Sequence, residues 1–233
     1  MSSGERMPLA DAQALAEDLR DLLAPSCVRI EVAGSVRRRR ETIGDLELVA
    51  VPLMRPGPQA GLFGGGREES VLWAKLDELV ADPDGGLKRP PPMMVACGHC
   101  GGGGMLLGPE DCPKCKNRLV VPRAAPWGDR YRQLLWLDRP VDLFTADSDS
   151  WGAQLLIRTG PPEYSQAWVT ALRGAGLVMR GGWVRSLDTD AIVPVPDEET
   201  AHALVGWPMV LPEGREAWRG TKSWSDNPSL SGR

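Results

Sequence analysis

The sequence predicts an α+β fold in which helices cover a mixed β-sheet. Three observations favour this class. Helical and extended patterns alternate along the chain without an internal repeat. The extended segments alternate apolar and polar residues, as expected for strands with one buried face. The chain has 233 residues, 42% of them hydrophobic and 25% charged, which is enough for one full core with a small appended module.

The first strand of the sheet follows an amphipathic helix. The helix is predicted at residues 9–23 and ends before Pro25, which cannot continue it. Val28, Ile30 and Val32 then alternate with other residues and predict a strand. The apolar stripe of the helix consists of Leu15, Leu19, Leu22 and Leu23.

The second strand is predicted at residues 45–51 and carries two acids on one face. Because side chains alternate across a strand, its even-numbered apolar residues share one side and its odd-numbered residues share the other. The apolar side consists of Leu46, Leu48 and Ala50, and the acidic side of Asp45, Glu47 and Val49.

Further elements follow from patterns of the same kind. They are a helix at 68–80, strands at 132–137 and 141–144, helices at 149–158 and 162–173, a hairpin that turns at Gly181 and Gly182, and a helix that begins within 196–206. The polar tail at 221–233 is predicted to be disordered.

Composition limits where the protein works. No apolar run approaches 18 residues, which excludes a membrane-spanning helix. The amino-terminal segment lacks an apolar signal core, so we expect a cytoplasmic protein, and we expect a monomer. The net charge of −4 argues against a surface coated with nucleic acid, but it leaves room for a local basic groove.

An arginine run lies directly before the two acids. Residues two apart on a strand project from the same face, so the carboxylates of Asp45 and Glu47 repel each other unless water or a cation separates them. A hard cation such as Mg²⁺ takes carboxylate oxygens and phosphate. Arginines at 37–40, with Gly34 and Ser35, are suited to hold that phosphate. The alternative is a solvated loop beside a strand edge, and spacing alone does not decide between them.

The whole segment resembles the catalytic signature of family X DNA polymerases, within the polymerase β-like nucleotidyltransferase superfamily. That signature is G-S-x-R-R-G, a short spacer that ends in Gly, and D-x-D. The matching residues are Gly34, Ser35, Arg37, Arg38, Gly44 and Asp45. Two positions depart from it: Arg39 replaces the last Gly of the first motif, and Glu47 replaces the second Asp.

The resemblance covers roughly residues 9–54 and 139–218 and continues downstream of the first motif. Asp142 in "RPVDLF" matches the third catalytic carboxylate of the family. Thr159 and Gly160 match a Thr-Gly pair that lies beside the nucleotide, and Ser165 stands where a base-contacting Asn is common. Two aromatic residues that precede this pair in the family are Ile157 and Arg158 here, which leaves selection between deoxy- and ribonucleotides open.

The resemblance implies a nucleotidyltransferase palm with a carboxy-terminal, thumb-like lobe. It implies that Asp45, Glu47 and Asp142 hold two Mg²⁺ ions, with Mn²⁺ as the alternative ion. Ser35 and Arg38 then bind the β- and γ-phosphates of a dNTP, and a DNA primer–template or gapped duplex is the other substrate. No domain precedes the first helix, so lyase activity is not expected. Compact relatives of this kind are typical of viruses and mobile elements.

A cysteine cluster predicts one structural zinc ion. Four of the five cysteines lie within 19 residues and form two C-x2-C pairs, at Cys97 and Cys100 and at Cys112 and Cys115. Four thiolates close a tetrahedral site without an open position, and a cytoplasmic setting disfavours the alternative of two disulfides. Basic residues surround this zinc ribbon at 94–118. Two roles for the ribbon stay open: it contacts nucleic acid, or it merely caps a long loop.

The predicted organisation has five parts. They are a first part of the palm at 1–54, an insertion with the ribbon at 55–138, the end of the palm with nucleotide-side helices at 139–180, a carboxy-terminal subdomain at 181–220 and a tail at 221–233. The predicted function is template-directed DNA synthesis by two-metal phosphoryl transfer, for gap filling or repair.

Two other functions stay open. The first is a nucleotidyltransferase that works without a template or on an RNA or protein acceptor, which base-dependent incorporation would exclude. The second is an inactive zinc-ribbon DNA-binding protein, which Mg²⁺-dependent release of pyrophosphate would exclude.

Overall fold

The structure is a computed structural model, and it describes residues 6–57, 68–97, 114 and 120–218. The strands of these residues are β1 (Met7–Pro8), β2 (Cys27–Val32), β3 (Thr42–Ile43), β4 (Leu46–Pro52), β5 (Met54–Pro56), β6 (Glu68–Ser70), β7 (Leu87–Lys88), β8 (Met93–Ala96), β9 (Val120–Arg123), β10 (Tyr131–Trp136), β11 (Arg139–Thr145), β12 (Leu177–Arg180) and β13 (Trp183–Ser186). The α-helices are α1 (Leu9–Leu23), α2 (Gly34–Arg37), α3 (Val71–Ala81), α4 (Trp151–Thr159), α5 (Pro162–Gly174) and α6 (Glu198–Leu204).

The main sheet has five strands in the order β2-β4-β11-β10-β7. Only the central pair, β4 and β11, is parallel, and the other neighbours are antiparallel. This confirms the α+β class with a mixed sheet. Because a parallel pair needs a long crossover, everything between residues 53 and 138 lies between the two central strands in sequence.

The two faces of β4 bury different clusters, as its alternation predicts. Leu46 and Leu48 belong to the largest apolar cluster, which α1 and α3 cover. Val49 belongs instead to a smaller cluster with Phe144 of β11 and Trp151 of α4. Since Glu47 shares the parity of Val49, its side chain belongs to the face that α4 covers.

The carboxy-terminal lobe has an apolar cluster of its own. Helices α4, α5 and α6 and the β12–β13 hairpin supply it, and Trp168 lies at its centre without solvent exposure. The indole of Trp168 donates to the carbonyl of Ala201 over 2.8 Å, which ties α5 to α6. Helix α4 contacts both this cluster and the sheet, because Trp151 and Leu155 face the sheet and Ala153 and Leu156 face the lobe.

Three details differ from the sequence pattern. Leu22 is 36% exposed, because the buried stripe of α1 runs through Ala12, Ala16, Leu19 and Leu23 instead. Val28 is 68% exposed, because β2 is shifted in register between Cys27 and Arg29 and Val28 is the extra residue. Residues 68–70 form strand β6 rather than helix, since they pair with β5.

Most of the predicted zinc ribbon lies outside the described residues. Cys97 is buried and directly follows strand β8. Cys100, Cys112 and Cys115 lie outside the described residues. The zinc site therefore stays a prediction. Within the described ranges, no helix is long and apolar enough to cross a membrane.

Candidate active site

The two predicted catalytic acids that lie inside strands are direct neighbours. Glu47 of β4 and Asp142 of β11 are register partners across the parallel central pair. Adjacent strands lie about 4.8 Å apart, so both carboxylates leave the same face of the sheet side by side. Asp45 precedes β4 and is exposed.

Burial and mutual repulsion disfavour ionisation of this pair. The pKa of Glu47 is raised to about 7, mainly by burial and also by the charges of Asp45 and Asp142, against the opposing charges of Arg38 and Arg158. Burial also raises the pKa of Asp142, and the charge of Asp45 acts in the same direction. The structure thus holds close carboxylates whose negative charge is incompletely compensated, which is the electrostatic setting that a cation relieves.

The donor chemistry fits a hard divalent cation, although the side chains do not form a complete cage. Mg²⁺ is bound by one or two carboxylates together with substrate phosphates and water. Within the described ranges, no group of three or more His, Cys, Asp or Glu side chains is arranged to hold a metal ion. Glu47 and Asp142 are brought together, and Asp45 contributes charge from the edge of the site.

Residues 34–40, which we call the arginine turn, pass close to Glu47, and Gly34 makes this possible. The residue before it, Ala33, donates its backbone N–H to the carbonyl of Glu47 over 2.7 Å. Gly34 itself has a φ of +60° and opens α2. A Cβ at this position would overlap Oε2 of Glu47 and lie 2.7 Å from its Cδ, so only glycine fits. Ser35 follows, half-buried, at the same turn.

The first two arginines of the run are bound to the carboxy-terminal lobe. Arg37 makes a bidentate pair with Glu198, with N–O distances of 2.9 and 2.6 Å, and donates to Oγ1 of Thr159 over 2.8 Å. Arg38, whose side chain is 8% exposed, donates to Glu216 over 2.7 Å and to the carbonyl of Thr159. The sequence predicts that Arg38 binds phosphate; in the structure it is paired with the carboxylate of Glu216, and the phosphate contact stays a prediction.

The last two arginines make looser contacts with the same lobe. Arg39 lies 3.8 Å from Glu213, and Arg40 lies 3.8 Å from Glu216. Exposed pairs of this length contribute about 0 to 1 kcal/mol each. The arginine run is therefore matched along its length by acids that the sequence places more than 150 positions away.

The remaining predicted nucleotide-side residues lie where α4 meets α5. Thr159 is fully buried and its two oxygens accept from Arg37 and Arg38. Gly160 follows with a φ of +66°, and a Cβ there would lie 3.1 Å from the Arg38 guanidinium. Ser165 is buried, and its hydroxyl donates to the carbonyl of Ile157 over 2.8 Å. Its predicted contact with a base stays a prediction.

The site contains further residues that the motifs did not indicate. Tyr131 and Gln133 of β10 hydrogen-bond to Asp142. Arg158 places its guanidinium 3.7 Å from the centre of the Phe144 ring, and its Nε is buried without a hydrogen-bond partner among the described residues. Alternation predicted strand β10 but not its pairing with β11, so it could not show that Gln133 faces Asp142. The resemblance had placed Arg158 only at a position that is aromatic in the family, without a contact to the carboxylates.

These residues line a cavity that extends from the carboxylates. Its volume is about 770 Å³, and Glu47, Asp142, Arg158 and Arg130 contribute to its wall together with Trp183 of β13. Arg130 stacks on Trp183, with its guanidinium 3.8 Å from the ring centre. The cavity thus combines carboxylates at one end with two arginines that lie over aromatic rings, and the arginines are suited to hold an anionic ligand such as phosphate.

The raised pKa of Glu47 predicts that stability falls as pH rises. Between pH 4.5, its ordinary pKa, and about pH 7, the unfolded chain releases the Glu47 proton and the folded protein retains it. The free energy of unfolding therefore falls as the pH rises through this range. The loss is on the order of 3 kcal/mol and is complete above about pH 7. Urea unfolding from pH 5 to 8, without added divalent cations, should show a larger loss in the wild type than in Glu47→Gln, which retains only the contribution of Asp142. Parallel pH dependences for the two proteins would contradict it.

No protein-family model matches the chain, and no curated protein matches it in sequence. A function for this protein is therefore inferred from its residues and their geometry.

Proposed function

We propose that this protein is a nucleotidyltransferase of the DNA polymerase β type, which adds deoxynucleotides to a primer 3′-hydroxyl under the direction of a template. One observation carries the proposal: Glu47 and Asp142 are register partners on parallel strands, directly beside the glycine turn that begins the arginine run. The resemblance connects positions 34–47 with a distant acid at 142, and these residues lie together in the structure, which supports the proposal.

The carboxylates divide the work of the reaction. Glu47 and Asp142, with Asp45 at the edge, would hold Mg²⁺, which neutralises the triphosphate and makes the primer hydroxyl more acidic. Asp142, on the strand next to β10, would orient the attacking hydroxyl and help it to lose its proton. Arg158 adds positive charge near both carboxylates, where the negative charge of the transferring phosphoryl group develops.

The phosphates are assigned to the arginine turn. Ser35 and Arg38 would bind the β- and γ-phosphates, and Arg38 would exchange the carboxylate of Glu216 for a phosphate oxygen. Arg37 has no such role in this proposal, because Glu198 already holds both of its terminal nitrogens. The zinc ribbon remains part of the proposal as a structural module between β7 and β10.

Primer extension tests the proposal. On a gapped, labelled duplex with Mg²⁺ and single dNTPs, the wild type should add only the complementary nucleotide. Asp142→Ala should reduce the rate by at least about 100-fold, since it removes a metal ligand rather than a supporting group. Asp188→Ala, a change of the same kind at an exposed loop position, should leave the rate unchanged.

The other outcomes point to the other functions. Addition of any nucleotide, regardless of the template base, would replace templated synthesis with tailing activity. No addition and no pyrophosphate release by folded wild-type protein, with DNA, RNA and protein acceptors in turn, would overturn the proposal and favour a binding role.

A further inference from the structure

Strand β10 presents two polar side chains to the central acid. Tyr131 and Gln133 are two positions apart and therefore lie on one face of the strand. Gln133 is the register partner of Asp142 on the antiparallel neighbour β11, and Tyr131 is the register partner of Phe144. Both side chains thus lie on the same side of the sheet as the Asp142 carboxylate.

Both side chains donate to the same oxygen of Asp142. The Tyr131 hydroxyl lies 2.7 Å from Oδ1, and Nε2 of Gln133 lies 3.3 Å from that same Oδ1. Among the described residues, no hydrogen bond reaches Oδ2. Two donors on one oxygen fix the rotation of the carboxylate about its Cβ–Cγ bond and leave the second oxygen available to a ligand.

The hydroxyl of Tyr131 is itself held in place by its ring. The ring stacks on Phe144 with a centroid distance of 4.7 Å and an angle of 8° between the planes. Arg158 lies over the Phe144 ring as well, so that ring is fixed by two neighbours. The tyrosine therefore cannot rotate its hydroxyl away from Asp142 without breaking an aromatic contact.

We propose that Tyr131, assisted by Gln133, is a positioning residue that occupies Oδ1 of Asp142 and presents Oδ2 to the divalent cation. This rests on the proposed function, because it takes Asp142 as a metal ligand. Outer partners that orient a ligating side chain are typically responsible for 10- to 100-fold in metal affinity. The closer donor, Tyr131, carries the larger share of that effect, and Gln133 the smaller share.

Direct binding of Mn²⁺, without nucleotide or DNA, tests this role by titration calorimetry. Tyr131→Phe keeps the ring that stacks on Phe144 and removes only the hydroxyl. Its Kd for Mn²⁺ should rise by about 10-fold or more. Because Mn²⁺ prefers carboxylate to thiolate ligands, the cysteines should contribute little to the signal, and Asp142→Ala gives the remaining background.

The second tyrosine of the chain provides a matched control. Tyr164 is buried, whereas Tyr131 is half-buried, and the Tyr164 hydroxyl hydrogen-bonds to Nε2 of His202 over 2.6 Å, in the carboxy-terminal lobe. Tyr164→Phe removes the same atom and should lower stability while leaving the Kd for Mn²⁺ unchanged. Gln133→Leu should raise that Kd by a few fold, which keeps the proposal testable if Tyr131→Phe fails to fold.

Each result separates the positioning role from the proposed function. If Asp142→Ala abolishes Mn²⁺ binding but Tyr131→Phe and Gln133→Leu bind as tightly as the wild type, the positioning role is overturned and the metal site stands. If Asp142→Ala binds Mn²⁺ as the wild type does, the metal role of Asp142 fails, and the positioning role fails with it.

Discussion

Replacement of Glu198 by alanine should lower the free energy of unfolding by about 3 to 5 kcal/mol. The Glu198 side chain is 5% exposed and accepts hydrogen bonds from both Arg37 and Arg215, and the Arg215 side chain is fully buried. Burial alone would raise the pKa of Glu198, but the hydrogen bonds and charges of the two arginines outweigh it and lower that pKa. Removal of the carboxylate leaves two cations close together, one of them without access to water.

Urea unfolding at pH 7 measures this effect, with Glu199→Ala as the control. Glu199 is the next residue of the same helix and is exposed, so its replacement should change stability by no more than about 0.5 kcal/mol. Because Glu198 also binds Arg37 at the arginine turn, the loss in Glu198→Ala includes the contact between that turn and the carboxy-terminal lobe. Equal stabilities of the two variants would show that the buried arginines find other partners.

Replacement of Gly34 by alanine should lower stability and, under the proposed function, slow primer extension. The left-handed φ of +60° costs an L-residue about 1 to 2 kcal/mol, and the added Cβ would overlap the Glu47 carboxylate. Since Glu47 is displaced from its place beside Asp142, primer extension should fall by at least about 100-fold.

A second glycine separates the two causes. Gly176 has a φ of +72°, and a Cβ there would meet nothing within 4 Å. Gly176→Ala therefore incurs the backbone cost without a collision, and it should lower stability by about 1 to 2 kcal/mol while the rate of extension stays unchanged. The account of Gly34 fails if Gly34→Ala extends a primer as fast as Gly176→Ala does.

Short-range patterns predicted the longer helices, four strands of the main sheet, the β12–β13 hairpin and the two faces of β4, but not the shorter strands or helix α2. The alternation of residues 45–51 predicted which side chains share a face, and the clusters around Leu48 and Val49 confirm it. The order of the main sheet was not predicted, because alternation identifies a strand and not its neighbour. The exposed Val28 was missed for a similar reason, since a bulge depends on the partner strand.

The partners within the site depend on contacts that no local pattern contains. Arg37 and Glu198 are 161 positions apart, and Arg38 and Glu216 are 178 apart. A run of arginines indicates only that anions are needed nearby, and phosphate and carboxylate satisfy that need equally well. Tyr131 was missed because its role depends on the pairing of β10 with β11, which brings its hydroxyl to Asp142.

The distant partners of the arginine run also bear on the synthesis of the protein. The turn at 34–40 is made early, but the acids at 198, 213 and 216 that hold it follow at least 161 residues after Arg37. At a translation rate of about 5 to 20 residues per second, the turn waits roughly 8 to 30 seconds for them. Until then, the guanidinium groups of the turn lack the partners that they have in the folded protein.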